Sequence, residues 1–168
     1  MNGGEALRAR AGLWLVLALA ALVVVADQLS KLWAVSALAG GTSVAVVGDL
    51  IQLRLTYNAG AAFSVAAGLT WLLTLVTAAA VIAIGVVAAR VRSHAWTVAL
   101  GLLLGGATTH LLDRLLREPG PGRGRVVDFI DYFGFFIGNI ADIALVAGVT
   151  LAVLLHLRGV TLAGATAS

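Results

Sequence analysis

Four stretches of the chain are apolar almost without interruption, and two shorter stretches between them are not. The first apolar run, Ala11 to Ala26, follows Arg8 and Arg10 and continues past Asp27 and Lys31. It reads as a helix over 12–36. Ala37-Leu38-Ala39 has the small residues of a leader cleavage site but lies too far beyond the run to serve as one. Trp14 and Trp33 are separated by about 28 Å along such a helix, which suits the two aromatic belts of a bilayer. The stretch from Ala59 to Ala89 carries no charge. Its part over 69–89 predicts a second helix, with Trp71 at one end and Arg90 and Arg92 beyond the other. A third is predicted over 95–116, starting near Trp96, and a fourth over 137–157, interrupted only by Asn139, Asp142 and His156. Each is about as long as a hydrocarbon core is thick.

The remaining segments read differently. Within 40–64, Ile51-Gln52-Leu53-Arg54-Leu55-Thr56-Tyr57-Asn58 alternates apolar and polar at every step, the period of a strand with one greasy face. Gly48-Asp49 supplies a turn from an earlier strand, Val44 to Val47. Two strands alone are marginal in water, so they are expected to lie against helix ends at the membrane surface. The segment 117–136 holds Pro119-Gly120-Pro121-Gly122, a cluster of breakers, and is expected to be a loop. Four spans put both segments on the side opposite the termini. The expectation is an α-helical integral membrane protein, one membrane-embedded domain over 1–168 with four transmembrane helices and a small sheet outside. Arg8, Arg10, Arg90, Arg92 and Arg158 against Arg54, Arg117, Arg123 and Arg125 favour cytoplasmic termini, as do the positive charges ahead of the first helix.

Composition agrees. Hydrophobic residues make up 61% and charged residues 11% of the chain, against about half and a quarter in a soluble domain. A soluble enzyme, a disordered chain and a disulfide scaffold are excluded. The net charge is +3, but the arginines sit at the ends of apolar runs rather than on one stripe, so no nucleic-acid partner is expected. The chain has no cysteine, which removes disulfides, thiolate metal sites and thiol nucleophiles. His94, His110 and His156 lack metal-ligand spacing, and neither metal nor cofactor is expected.

Charged groups in apolar runs are costly and are candidates for function. Asp27 and Lys31 stand at i and i+4, the favourable order for a helical ion pair; by themselves they read as a neutralising pair at a helix end. Asp113-Arg114 reads as a similar interfacial pair, its arginine snorkelling to the headgroups. Asp128 lies among Val126, Val127, Phe129 and Ile130, at an apolar boundary. Asn139 and Asp142 are three apart at the start of the fourth helix, a variant of the capping box. Asn58-Ala59-Gly60-Ala61-Ala62-Phe63-Ser64 reads as a turn that allows a second backbone to approach. With no thiol, no metal motif and no nucleophile elbow, carboxylate chemistry remains: two aspartates sharing one proton can activate water.

In four ordered motifs the chain resembles the lipoprotein signal peptidases, or signal peptidase II. Asp27-Gln28-Leu29-Ser30-Lys31 is similar to the family's Asp-x-x-Ser/Thr-Lys. Asn58, Gly60, Ala62, Phe63 and Ser64 are similar to Asn-x-Gly-x-Ala-Phe-Ser. Gly105-Gly106, Asp113-Arg114, Val126, Asp128 and Phe129 are similar to the third block, and Asn139, Ala141 and Asp142 to Phe-Asn-x-Ala-Asp. The resemblance implies an intramembrane aspartic endopeptidase of the bacterial cytoplasmic membrane. It would remove the signal peptide from a diacylglyceryl-modified prolipoprotein, cutting just before the lipidated cysteine. The resemblance makes Asp128 and Asp142 the catalytic pair and places a β-cradle over the site. Asp27, Lys31, Asn58, Gly60, Phe63, Ser64, His110, Asp113, Arg114, Asn139 and Ala141 would support it or bind substrate. Membrane lipids are expected partners, and the working unit is expected to be a monomer.

The chain departs from the pattern at three places. Thr109-His110 stands where the family has Gly-Asn, Gly138 stands for the phenylalanine before the last asparagine, and the loop before Asp128 is longer. An imidazole can imitate an amide, but its cation cannot accept a hydrogen bond. His110→Asn is therefore expected to be tolerated and to favour activity at acidic pH. The alternative class is a small proton- or ion-coupled carrier, or an accessory subunit, with Asp27, Asp113 and Asp142 as relay groups.

Overall fold

A computed structural model describes residues 3–60 and 67–164. The chain runs α1 (Gly3–Ala37), β1 (Ser43–Val47), β2 (Ile51–Asn58), α2 (Thr70–Ala88), α3 (His94–Leu116), β3 (Val126–Tyr132), β4 (Phe136–Gly138) and α4 (Ile140–Leu157). All four helices are long and apolar enough to cross a membrane. Their outward residues include Trp14, Leu22, Ile82 and Val146, each more than 60% exposed. So much apolar surface turned outward fits lipid rather than water.

α3 is the central helix: half of its span is buried, against 11% for α2. Two adjacent glycines let it sit there. A methyl group on Gly105 would lie 2.6 Å from Cβ of Val23 on α1, and one on Gly106 would lie 2.6 Å from Cγ of Leu145 on α4. Small residues at helix crossings are how membrane helices gain packing when lipid offers no hydrophobic drive. At the terminal end, Val16, Ala20, Ala88, Val91, Leu100 and Leu104 close the core. At the other end, Ala34, Leu38 and Phe129 pack together beneath Leu53, Leu55 and Ile130 of the sheet.

The sheet is larger than the pattern predicts. It has four strands in the order β1-β2-β3-β4, all antiparallel. The predicted hairpin is present as β1 and β2. The segment 117–136, expected to be a loop, is a loop only as far as Arg125, and then supplies two strands. Val126-Val127-Asp128-Phe129-Ile130 is β-branched and aromatic, a composition that fits a pleated, half-buried surface. Its edge pairs with β2, setting Thr56 opposite Asp128 and Asn58 opposite Val126. α4 correspondingly begins at Ile140 rather than 137, because Ile137 and Gly138 pair with β3.

Candidate active site

Two clusters of acids lie where the helices meet the sheet. The first joins α1 to α3. Lys31 Nζ is 2.6 Å from Asp27 Oδ2 and 2.7 Å from Asp113 Oδ2, and all three side chains are at most 1% exposed. Thr109 Oγ1 donates to Asp27 Oδ2 at 2.5 Å, and Gln28 Nε2 donates to Thr109 Oγ1 at 2.7 Å and to Asp113 Oδ1 at 3.0 Å. Arg117 Nε reaches Asp113 Oδ1 at 2.8 Å. Two backbone amides complete the set: Ala141 N–H donates to Asp27 and Val127 N–H to Asp113. Asp27 and Lys31 do form their i, i+4 pair, but deep inside the protein and shared with a third residue. Asp113 and Arg114 are not an interfacial pair: both are buried, and Asp113 turns to Lys31 and Arg117 instead. Because α4 and β3 hang from this cluster by Ala141 and Val127, it fixes where the second cluster sits.

The second cluster holds Asp128 and Asp142. Asn139, fully buried, touches both. Its side-chain amide donates to Asp128 Oδ1 at 2.6 Å, and its backbone N–H donates to Asp142 Oδ2 at 2.9 Å. Its Oδ1 in turn accepts from Asp142 N–H at 3.1 Å, so the capping box of α4 is complete. Asn58, at the end of β2, donates to Asp128 Oδ2 at 3.2 Å, while its own Oδ1 accepts from Gly60 N–H. His110 Nε2 lies 3.2 Å from Asp142 Oδ1. Gly138 leaves room that another residue would fill: a methyl group there would be 2.7 Å from Cε1 of Phe136 and 2.9 Å from Asp142 Oδ2.

Asp128, Asp142, His110, Arg114 and Asn58 open onto one cavity of about 340 Å³. Leu73, Val76 and Ala80 of α2 and Leu145 of α4 form its apolar wall. Burial, and then the charge of Asp142, push the Asp128 carboxyl up to about 6, against the amides of Asn58 and Asn139 and the charge of His110, which favour ionisation. Burial and the same Asp142 charge push the Tyr132 phenol upward. Arg114 donates through Nη2 to the Gly60 carbonyl at 2.5 Å, and its buried Nη1 has no hydrogen-bond partner among the described residues. An unpaired buried guanidinium nitrogen costs stability unless something else accepts from it.

The structure thus gathers Asn58, Gly60, His110, Arg114, Asp128 and Asp142 at the cavity, with Asn139 buried between the two acids, and Asp27, Lys31, Asp113 and the backbone of Ala141 at the supporting cluster. Phe63 and Ser64 lie outside the described residues. Sequence reasoning missed Gln28, Thr109 and Arg117 as members of the supporting cluster. Gln28 adjoins Asp27, and Arg117 stands four residues after Asp113 on one helix face, the spacing of a helical pair. Among the described residues, no group of acids and histidines could hold a metal.

Four apolar helices, a sheet over their ends and a pair of acids on an apolar cavity define a membrane-embedded enzyme of the carboxylate type. Residues 19–158 match the family model described as signal peptidase (SPase) II, and the chain belongs to that aspartic peptidase family. It is 43% identical over 145 residues to a lipoprotein signal peptidase of Rhodococcus jostii, covering 86% of this chain and 73% of that one. A lipoprotein signal peptidase of Mycolicibacterium smegmatis is 46% identical over 86% of this chain and 62% of its own, and one of Leifsonia xyli is 45% identical over 94% and 74%. A bacterial membrane enzyme solved by the in meso method at 2.3 Å superposes with a TM-score of 0.76 at 31% identity, over 85% of this chain and 87% of that one.

Proposed function

We propose that this chain is an endopeptidase that removes signal peptides from diacylglyceryl-modified prolipoproteins, cutting before the lipidated cysteine, with Asp128 and Asp142 as its acid pair. The observation that carries the proposal is the bridge made by Asn139, which holds one acid by its side chain and the other by its backbone. Burial first, and the charge of Asp142 second, push Asp128 up to about 6, as expected where two carboxyls share a poorly solvated site and cannot both ionise easily. One acid, ionised, takes a proton from water, and the resulting hydroxide attacks the scissile carbonyl. The other, protonated, donates a hydrogen bond to that carbonyl and then protonates the leaving amine. The titration belongs to the pair. Arg114 lines the same cavity, and its Nη1 has no acceptor among the described residues, which supports a role in holding a substrate backbone carbonyl.

The apolar wall from α2 and α4 suits the apolar part of a signal peptide and the acyl chains beside it, so membrane lipid and substrate lipid share one phase. The reading places both termini in the cytoplasm and the site near the outer face, and takes one copy of the chain as the working unit. Arg10, Arg90, Arg92 and Arg158 then lie on the cytoplasmic side, in keeping with the charge bias of membrane proteins. A carrier would need acids free to titrate near the bilayer midplane and a repeated architecture. Asp27 and Asp113 are instead both held by Lys31 in one buried ion-paired cluster. The test is cleavage of a lipidated precursor peptide in detergent, where no membrane potential exists. Acyl burial is worth roughly 0.8 kcal/mol per CH₂, so the lipidated peptide should be cut and its unlipidated twin hardly at all. Equal turnover of the two would overturn the substrate assignment.

A further inference from the structure

The acid pair has a third titratable partner. His110 projects from the middle of α3, two turns before the end of the helix, onto the same cavity as Asp128 and Asp142. Its Nε2 faces Asp142 Oδ1 at 3.2 Å, while the other oxygen of Asp142 is already taken by the Asn139 backbone N–H. With Asp142 as the ionised member of the pair, this contact requires a proton on Nε2, because a carboxylate only accepts. The ring then donates, and a second proton on it leaves the contact intact, the opposite of an imidazole that serves as an acceptor.

Resting on the acid-pair reading above, we propose that His110 is a positioning residue of this pair. Its Nε2–H fixes the Asp142 carboxylate, and the positive charge of the doubly protonated ring keeps the pair in its singly protonated working state to lower pH than two acids alone could reach. The charged groups around it are few. Asp142 approaches from α4. Asp128 lies across the cavity on β3, where Tyr132 also feels the charge of Asp142. Arg114, one turn along α3, points to the Gly60 carbonyl. α2 contributes only uncharged side chains to the cavity wall, and the acids and lysine of α1 are consumed in their own cluster with Asp113. No other cation is hydrogen-bonded to Asp142 among the described residues. An amide at position 110 could donate the same hydrogen bond but could never supply the charge.

The sign follows. A cation beside the pair favours its ionised form, so it lowers the pH at which the second proton arrives and activity falls. The ring carries that charge only on the acid side, so removing it moves the acid limb of the activity profile to higher pH and leaves the alkaline limb in place. Turnover of a diacylglyceryl-modified precursor peptide in detergent is to be followed from about pH 5 to about pH 9 for wild type, His110→Asn and His110→Gln. Both variants should show an acid limb displaced upward by about one pH unit, so their deficit against wild type is about tenfold larger near pH 5.5 than near pH 8. A deficit equal at every pH would mean a merely structural role, and a displacement to lower pH would mean the wrong sign; either overturns the proposal. Nitrogen NMR of the labelled wild-type protein at alkaline pH needs no variant to fold: the neutral His110 ring should carry its proton on Nε2, and a proton on Nδ1 overturns the contact. A wild-type protein that cuts no lipidated peptide refutes the peptidase reading itself, whereas turnover with superimposable profiles refutes only the role of His110.

Discussion

The two acid clusters use the same residue type, sit side by side at one end of the same helices, and do opposite things. In the α1–α3 cluster, Asp27 and Asp113 share Lys31, and every carboxylate oxygen has a donor. Neither of these two acids lines the cavity that Asp128 and Asp142 share. In the outer cluster Asp128 and Asp142 are held by amides and one imidazole, with no lysine, and they open onto an apolar space. On the proposed reading, what separates a structural acid from a chemical one is the counter-charge. A buried carboxylate with a permanent cation and a complete set of hydrogen bonds is held as a structural ion, whereas one given amides, an imidazole and a like-charged neighbour is left able to take up or release a proton. The first cluster also sets the second in place, since Ala141 N–H and Val127 N–H bond Asp27 and Asp113, and each adjoins a residue of the acid pair.

The comparison can be broken most sharply at the acid pair. Asp128→Asn and Asp142→Asn should each lower turnover by at least about 10³-fold, since general acid–base assistance alone is worth about 10² to 10⁴. The two losses should not add, because either change destroys the same shared-proton unit; turnover of the double variant, compared with the singles, checks this. The next largest effect belongs to the other cluster. Lys31→Met takes the cation from buried Asp27 and leaves Asp113 with Arg117 alone; it should cost about 3–5 kcal/mol, read as a collapse of the thermal midpoint in detergent. Gly138→Ala pushes a methyl group against Phe136 and Asp142 Oδ2. It should lower kcat about tenfold with little change in the thermal midpoint, because misplacing a reacting group costs rate before it costs stability.

A smaller effect sharpens the contrast by its sign. Asp128 holds its proton more tightly in the folded protein than in the unfolded chain, being pushed from the ordinary carboxylate range up to about 6. Between about pH 4 and pH 6 the folded state therefore binds more protons, and stability falls as pH rises through that window. Asp128→Asn removes the penalty. It should stabilise the protein by about 1 kcal/mol at pH 8 and by nothing near pH 4. The gain is trimmed because Asn58 and Asn139 would then meet an amide in place of an acceptor at one of their two contacts. The smallest effect is the control: Asp49→Asn, in the exposed β1–β2 turn, should change stability by less than about 0.5 kcal/mol and turnover not at all.

The helices were legible because their signal is local: long apolar runs ended by charge and tryptophan. The β1–β2 hairpin was legible from strict alternation around Gly48-Asp49, and the Asn139–Asp142 capping box from spacing alone. The strands β3 and β4 were not. Pro119-Gly120-Pro121-Gly122 drew the whole segment into one loop, and the apolar run after it is too short to declare itself without β2 beside it. The supporting cluster was half legible. The Asp27–Lys31 pair is written at i, i+4, but the partner that turns it into a three-residue lock, Asp113, is 82 positions from Lys31 and is found only by folding. His110 stood out in the sequence only as a departure from the family pattern, and its contact with Asp142, 32 positions away, is found only by folding.

The most direct test compares one acid from each cluster by the same substitution. Asp113→Asn and Asp128→Asn are purified in detergent, and for each the thermal midpoint and the cleavage of a lipidated precursor peptide are measured at pH 8. The account predicts a crossed result: Asp113→Asn melts well below wild type yet retains turnover per folded molecule within about tenfold, while Asp128→Asn melts at or above wild type and cuts nothing measurable. Turnover surviving in Asp128→Asn, or a stable Asp113→Asn protein without activity, would contradict it.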